Sequence, residues 1–167
     1  HAKSKTKLWD LNLGLPPCGE APTLIASSFA LHWLNNPTIR IQEWFNALAP
    51  GGLLAIALPV EGSFKEWYEA AKIANVSCTA MNLPTQQSLI NAVSKANICH
   101  QKIYRYSQNE NKVFSLLKPI VKVGAQTTNK PSLKFKDWKQ LEKSWPRNEM
   151  NNTVYLTWNI QLLLVKK

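Results

Sequence analysis

The side chains that most often coordinate metals are few in this sequence and stand far apart. They are three cysteines and three histidines: Cys18, Cys78, Cys99, His1, His32 and His100. None of them forms a C-x-x-C or H-x-x-x-H pair, so the sequence predicts no metal site. The odd number and wide spacing of the cysteines argue against a disulfide framework and favour a reduced, cytoplasmic protein.

Hydroxyl and carboxylate groups form no pattern typical of covalent or acid–base catalysis. Ser27 and Ser28 are adjacent, but nothing near them in the sequence would activate either hydroxyl as a nucleophile. The sequence also contains no Ser–His–Asp, Cys–His or paired-carboxylate pattern. This absence neither favours nor excludes an enzyme, because some group transfers need only well-positioned reactants.

The stretch from Thr23 to Val60 predicts the elements that would hold a site. An apolar run, Leu24 to Ala26, predicts a strand, and Asn36 followed by Pro37 predicts the start of a helix. Four apolar residues then recur at helical spacing: Ile41, Trp44, Phe45 and Leu48. After Pro50-Gly51-Gly52, the run from Leu53 to Leu58 predicts a strand buried on both faces. The stretch therefore predicts a parallel β–α–β crossover.

The letters of this crossover, SSFALHWL and ALAPGGLLAIALPVEGSFKEW, resemble the second half of class I S-adenosylmethionine (SAM)-dependent methyltransferases. The resemblance is closest to the malonyl-acyl-carrier-protein O-methyltransferases of biotin synthesis. Other blocks are similar to that family in the same order: LWDLNLGLP, NLPTQQSLINAV, LLKPIVKVGA, DWKQLEKSWP and YLTWNIQLLLVKK. Another small-molecule methyltransferase of the same superfamily is the alternative, because substrate choice in this fold lies in variable segments.

The resemblance implies SAM as the cofactor and identifies the positions that would contact it. These positions are Asp10, Leu11, Ser28, Phe29 and Ala30. The Asp10 carboxylate, or the backbone amide of Leu11, would contact the adenine amino group, and the alternative is a solvated loop aspartate. The segment from Ser28 to Trp33 leaves the first strand at its carboxyl end, where open α/β sheets bind ligands.

The resemblance also implies that His32, Trp33 and Arg105 contact the substrate. His32 stands where the family commonly has glutamine, and the alternative is a half-buried histidine whose hydrogen bonds are satisfied within the protein. The guanidinium fork of Arg105 suits a carboxylate, and the alternative is a surface arginine beside two packing tyrosines. No catalytic residue is expected, because the malonyl carboxylate is already ionised near pH 7 and needs no general base.

The expected fold class is α/β, a partial Rossmann-like class I methyltransferase sheet with flanking helices. The family's strand order is 3-2-1-4-5-7-6 with strand seven antiparallel, and residues 1–167 would form a single domain that keeps strands 4-5-7-6. The six glycines include no G-x-G pattern, and only about twenty residues precede the first strand. We therefore interpret the chain as a C-terminal portion that lacks strands one to three and the glycine-rich cofactor loop, and we expect it to be inactive alone.

The loss of those strands would leave the first strand of this chain at an edge of the sheet. Unpaired edge strands tend to pair with other chains. The sequence therefore predicts self-association through Leu24 to Phe29, or a partner that carries the missing half.

The helices expected after the crossover are marked by caps and apolar stripes. Ser63 and Glu66 form a capping box before a helix whose buried face would comprise Trp67, Tyr68, Ala71 and Ala74. Thr85 would cap the next helix, with Leu89, Ile90, Val93 and Ala96 buried. Two later stripes predict further helices, the first closed by Gly124: Val113, Leu116, Leu117, Ile120 and Val121, then Phe135, Trp138, Leu141 and Trp145. Residues 126–133 would form a polar linker.

Two more strands are expected. Cys99 to Ser107 alternates weakly, and Thr153 to Val165 alternates clearly. In the second strand one parity is apolar and would face the core: Val154, Leu156, Trp158, Ile160, Leu162 and Leu164. Thr157, Asn159 and Gln161 would face the other way.

Charge is distributed unevenly between the halves of the chain. Residues 1–83 contain six Lys/Arg and six Asp/Glu, whereas residues 84–167 contain fourteen and four and so hold the whole net charge of +10. Six lysines of this half would dock an acidic acyl-carrier protein. They are Lys118, Lys122, Lys134, Lys136, Lys139 and Lys143. The alternative is an ordinary solvated surface.

A different class of function, a non-catalytic basic module that binds nucleic acid, also fits this charge. Against it, Trp138, Trp145 and Trp158 lie on apolar stripes and not on an exposed stacking surface, and no nucleic-acid-binding motif is present. No run of eighteen apolar residues occurs, so no membrane span is expected.

Overall fold

The structure is a computed structural model that describes residues 7–93, 97–122 and 132–167, without the side chains of residues 121 and 122. Its strands are β1 (Leu24–Ser28), β2 (Leu53–Pro59), β3 (Asn97–Glu110) and β4 (Val154–Lys166). Its α-helices are α1 (Pro37–Ala47), α2 (Lys65–Ile73), α3 (Gln86–Ala92), α4 (Val113–Lys122) and α5 (Phe135–Ser144). Two short 3-10 helices lie at Leu11–Leu13 and Leu31–Trp33.

The four strands form one sheet in the order β1-β2-β4-β3. β1 and β2 are parallel, with Leu24 opposite Leu53 and Ser28 opposite Ala57, which confirms the predicted crossover through α1. β4 runs antiparallel to β2, because Val60 N donates to Asn159 O at one end and Lys167 N donates to Gly52 O at the other. β1 therefore lies at one edge of the sheet, as expected.

The chain divides into two compact units. The first comprises His1–Leu58, Pro84–Lys102 and Gln161–Lys167, and the second comprises Pro59–Leu83 and Ile103–Ile160. The single domain expected from the sequence stays a prediction.

The interior of the first unit is built around α1. Asn36 and Pro37 begin the helix as predicted, and the four predicted apolar residues, Ile41, Trp44, Phe45 and Leu48, are all buried. α1 packs against α3 and against the 3-10 helix Leu31–Trp33. In α3 the Thr85 side chain accepts a hydrogen bond from Ser88 N, so the predicted cap is confirmed.

The second unit has a core to which four elements contribute, α2, α4, α5 and β4. Its buried members are Phe64, Ala70, Ala71, Val113, Leu116, Leu117, Leu141, Trp145, Val154 and Leu156. Trp67, Trp138 and Trp158 are partly buried and pack against this core. The aromatic stripe of α5 is therefore confirmed except at Phe135, whose side chain is 72% exposed.

The predicted capping box at the start of α2 is wrong. The Ser63 hydroxyl donates to Asn159 O (3.1 Å) and accepts from Asn159 N (2.9 Å), so it bonds β4 and not the helix. The Glu66 carboxylate accepts from Thr157 N at 2.8 Å and from Thr157 Oγ1 at 2.6 Å. These partners on β4 give Glu66 two charge-assisted bonds, where a capping box gives one. Tyr68 is 36% exposed, so this residue of the predicted apolar face of α2 is only partly buried.

The predicted facing of β4 holds only for its first residues. Val154 and Leu156 are fully buried, but further along the strand Gln161, Leu163 and Val165 are fully buried instead, and Leu162 and Leu164 are only partly buried. The buried residues therefore change parity along β4, so a single apolar parity cannot identify the buried side of the whole strand. The prediction that Gln161 faces away from the interior is wrong.

Several sequence-based expectations fall outside the described residues. They concern Ala96, Gly124, most of the linker at residues 126–133, and the side chains of Val121 and Lys122. In the part of the chain that is described, no helix is long and apolar enough to cross a membrane.

Candidate functional site

The chain leaves β1 through a sharp turn at Phe29. Phe29 has a φ of 53°, in the left-handed region that non-glycine residues rarely adopt. Phe29 N donates to Ala57 O at 2.8 Å, and the Trp33 indole Nε1 donates to Phe29 O at 3.2 Å. Both backbone polar groups of this residue are therefore held, one by β2 and one by the 3-10 helix that follows. Strained backbone held in this way is found often at ligand sites.

His32 is the buried titratable group of this turn. Its side chain is 7% exposed, and its ring lies 4.5 Å from the Trp33 ring and 6.1 Å, edge to face, from the Phe29 ring, measured between centroids. Burial lowers the pKa of His32 from its ordinary 6.5 to about 4. The imidazole is therefore neutral near pH 7 and can donate one hydrogen bond, but it supplies no positive charge to an anion.

The Nδ1 atom of His32 has no hydrogen-bond partner within the described ranges. The alternative in which the histidine is satisfied inside the protein is therefore wrong for this atom as far as those ranges extend. A buried polar atom without a partner is uncommon and requires an explanation, such as water or a ligand.

The loop that holds Asp10 and Leu11 is joined to this turn by a hydrogen bond. Asp10 is exposed and precedes the 3-10 helix Leu11–Leu13, where its Oδ1 accepts from Asn12 N at 2.9 Å. The Asn12 side chain in turn accepts from Asn35 N at 3.0 Å, just beyond Trp33. The structure thus brings the two predicted cofactor segments, which are distant in the chain, to one region of the first unit.

Ser27 and Ser28 differ in their surroundings. Ser28 is exposed, whereas the Oγ atom of Ser27 is buried and has no hydrogen-bond partner in the part of the chain that the structure describes. Ser27 was not predicted as a site residue. Its alternation with Ser28 along β1 is the only sequence signal that distinguishes them.

Gln161 is a second buried polar residue that the sequence analysis missed. The hydrogen bonds at the two ends of β2 and β4 lie eight positions apart on each strand, Gly52 to Val60 and Asn159 to Lys167, so the register is the same at both ends and places Leu58 opposite Gln161. The Gln161 side chain is fully buried, and neither of its amide atoms has a partner among the described residues. The signal that was available is an amide enclosed by apolar residues on both sides in the sequence.

Arg105 belongs to the second unit and lies on β3. Its side chain is exposed, and its Nε donates to Asn159 Oδ1 at 3.4 Å, a long hydrogen bond. Arg105 therefore lies at the surface, as the alternative has it, although Tyr104 and Tyr106 beside it are exposed and not buried. The other predicted site residues belong to the first unit.

Three comparisons with known proteins bear on these features. The chain is 26% identical over 157 residues to the malonyl-[acyl-carrier protein] O-methyltransferase of Alcanivorax borkumensis. The matched region covers 92% of this chain and 53% of that protein. It is 42% identical over 50 residues to the trans-aconitate 2-methyltransferase of Paracidovorax citrulli, or 30% of this chain and 19% of that protein. The chain thus spans about half the length of the first relative. No family model matches the chain.

Among solved structures, the chain is similar to a Bacillus halodurans protein that carries a methyltransferase assignment. The TM-score is 0.60 at 11% sequence identity, over 95% of this chain and 69% of that one. At this identity the likeness concerns the fold alone. The chain therefore has a mixed α/β fold, with a four-stranded sheet and helices, that resembles a methyltransferase fold.

Proposed function

We propose that this chain is the C-terminal portion of a SAM-dependent methyltransferase that methylates the free carboxylate of a malonyl group on an acyl-carrier protein, in biotin synthesis. The observation that carries the proposal is the match between fold and ligand-binding position. The fold resembles that of a methyltransferase-like structure, and Ser28, Phe29 and Ala30 lie at the carboxyl end of β1, near the His32 nitrogen that has no partner among the described residues. Open α/β sheets bind their ligands at this end.

The strand order supports the same proposal. The sheet order β1-β2-β4-β3, with β1 and β2 parallel and β4 antiparallel to β2, is the order that we expect of strands 4-5-7-6 of the family. On this assignment, strands one to three and the glycine-rich cofactor loop belong to another part of the protein. The 167 residues alone would then lack the amides that hold the methionine and ribose parts of the cofactor, and we expect them not to turn over.

The residues of the first unit fit the cofactor. Asp10 is exposed, Leu11 opens a 3-10 helix with its backbone N–H at the free end, and Ser28, Phe29 and Ala30 border the turn after β1. When bound, SAM supplies an electrophilic methyl group on a sulfonium. The fixed turn at Phe29 orients these residues before any ligand arrives, because both of its backbone polar groups are already bonded.

The family resemblance implies substrate contacts for His32 and Trp33, in the first unit, and for Arg105, in the second unit. Neutral His32 would donate a hydrogen bond to the acceptor, and Trp33 would help to exclude water. The charge that balances a carboxylate must then come from a cation, for which Arg105 is the candidate. These residues would hold the carboxylate oxygen, the nucleophile, toward the methyl group that bound SAM would supply. No proton moves, so no general base is needed.

Calorimetric titration with S-adenosylhomocysteine tests this proposal. We expect no binding by the 167-residue chain, and binding by a version extended at its amino end with the strands and glycine-rich loop of a homologous methyltransferase. In the extended version, Asp10→Ala and Phe29→Gly should each weaken binding. Absence of binding in every folded extended version would contradict the proposal. Binding by the 167 residues alone would contradict the assignment of the missing cofactor loop.

A second acceptor is supported by the match to a trans-aconitate methyltransferase over 50 residues. The extended version should therefore be offered malonyl-carrier protein and trans-aconitate in parallel with radiolabelled SAM. We expect label on the carrier protein, released by mild alkali as a methyl ester is. Label on trans-aconitate alone would support the proposed methyltransferase activity and contradict the malonyl group as its substrate.

A further inference from the structure

One side of α5 is exposed and carries cationic and aromatic side chains only, apart from one glutamine. This side, the α5 basic face, consists of Phe135, Lys136, Lys139, Gln140 and Lys143. The opposite side of the helix, with Trp138 and Leu141, packs into the core of the second unit. The two acidic residues of α5 are half-buried: Asp137 lies outside the face, and Glu142, three residues from Lys139, lies at its border.

The lysines of this face are neighbours on the helix. Lys139 is three residues from Lys136 and four from Lys143, so the ammonium groups project from the same side. Among the described residues none of the three forms an ion pair, and the Lys139 ammonium lies 4.7 Å above the ring of Phe135. Like charges at this spacing destabilise a helix, and a merely solvated surface usually mixes both signs. An anionic partner would remove this repulsion.

Phe135 gives the face an apolar anchor. Its side chain is 72% exposed, although it begins a helix whose other aromatic residues are packed. Aromatic side chains surrounded by polar groups are typical centres of protein–protein interfaces. Helix α4 of the same unit also combines an exposed aromatic residue with an exposed lysine. Its Phe114 is 63% exposed, and the exposed Lys118 follows one turn later.

We propose that the α5 basic face docks the acidic surface of a carrier protein. This inference rests on the proposed function, because a methyltransferase whose acceptor is attached to a carrier protein must bind the carrier as well as the acceptor. Complementary charge mainly raises the rate of encounter, and the aromatic anchor then slows dissociation. The lysines at positions 136, 139 and 143 span about 10 Å of helix, which suits the acidic side chains on two turns of a partner helix.

Docking can be tested separately from methyl transfer with an apo-carrier protein, which lacks the phosphopantetheine arm and therefore cannot be methylated. Binding of the full chain to a fluorescent apo-carrier protein is measured by anisotropy at low and moderate salt. We expect the double variant Lys139→Glu/Lys143→Glu to weaken binding about tenfold or more, and to reduce its salt dependence. Phe135→Ala should weaken binding while leaving the salt dependence unchanged.

The matched control is Lys7→Glu/Lys72→Glu, which makes the same change in net charge at two exposed lysines outside the face. It should retain most of the binding, and circular dichroism should show that every variant is folded. Equal loss in the two double variants would overturn the proposal in favour of general charge attraction. No binding of the carrier, or stronger binding to a single-stranded oligonucleotide or an anionic vesicle through the same lysines, would also overturn it. Binding of S-adenosylhomocysteine by the extended version does not depend on these lysines, so the two proposals can fail independently.

Discussion

His32 combines burial with a position next to the strained turn at Phe29, and its ionisation should therefore be visible in the stability of the protein. Burial lowers its pKa from 6.5 to about 4. As the pH falls below 6.5, the unfolded chain binds a proton on this histidine while the folded protein does not. The free energy of unfolding should therefore decrease between pH 6.5 and about pH 4, and His32 should not change it further below about pH 4. The stabilisation that comes from a neutral, buried His32 is present in full only above pH 6.5.

We predict that urea denaturation at pH 7.5 and pH 5.0 will show a loss of about 2 kcal/mol that depends on His32. His32→Gln keeps a hydrogen-bonding side chain that does not titrate, and should remove most of this loss. His100→Gln, at an exposed position on β3, controls for the removal of a histidine. An unchanged pH dependence in His32→Gln would show that the histidine is accessible to protons in the folded state.

Glu66 is the second residue with a measurable role, because its carboxylate is fully buried and joins α2 to β4. Glu66→Ala leaves the N–H and the hydroxyl of buried Thr157 without their acceptor. We expect the free energy of unfolding to fall by about 3 kcal/mol in urea denaturation. Glu69→Ala, exposed on the same helix, should change it by less than about 0.5 kcal/mol. Equal effects of the two substitutions would contradict the role of Glu66 as a buried link.

At the scale of elements, the two edges of the sheet are protected to different degrees. β3 carries Lys102, Arg105 and Glu110, and charged side chains of this kind discourage edge pairing. The segment from Thr23 to Phe29 contains no charge, proline or glycine. Thr23 O accepts from Leu53 N and Phe29 N donates to Ala57 O, so the odd-numbered residues of β1 direct their backbone groups to β2. Leu24, Ala26 and Ser28 direct theirs away from the sheet.

Self-association through Leu24 to Phe29 thus stays a prediction, with an edge position that supports it. Two copies of β1 can pair antiparallel about Ala26 without like-charge repulsion, because residues 1–83 have equal numbers of acidic and basic side chains. We expect sedimentation equilibrium at micromolar concentration to show a dimer that Ala26→Lys converts to a monomer. Gln101→Lys, an exposed position on β3, is the control and should leave the dimer intact. A monomer of the unsubstituted chain would contradict the prediction.

At the scale of the whole molecule, a net charge of +10 is compatible with binding to any polyanion. The structure bears on the nucleic-acid alternative through the tryptophans. Trp145 is 2% exposed, and Trp138 and Trp158 pack against the core of the second unit, so these three offer no stacking surface to bases.

We predict that binding to single-stranded DNA, measured by anisotropy, is independent of sequence and falls steeply between 50 and roughly 200 mM salt. Salt-resistant binding with base preference would favour the nucleic-acid module.

Much of the local structure of this chain could be predicted because local signals determined it. The start of α1 at Pro37, the cap at Thr85 and the parallel pairing of Leu24–Ser28 with Leu53–Pro59 all follow from short-range patterns. The position of Ser28 to Trp33 after the first strand follows from the same crossover. These features depend on propensity, caps and the geometry of one β–α–β unit, all of which are encoded within about forty residues.

Other features were decided only by the tertiary structure, since their partners are far away in the chain. Ser63 and Glu66 match a capping box, yet both bond β4, 96 and 91 residues later, because buried backbone groups on that strand need acceptors and donors. Gln161 is buried because the buried parity changes along β4, which the apolar alternation of the sequence cannot show. The unpartnered nitrogen of His32 likewise depends on what surrounds it. The sequence by itself determined the elements and their order, whereas long-range packing decided which polar groups are buried and which of these have partners among the described residues.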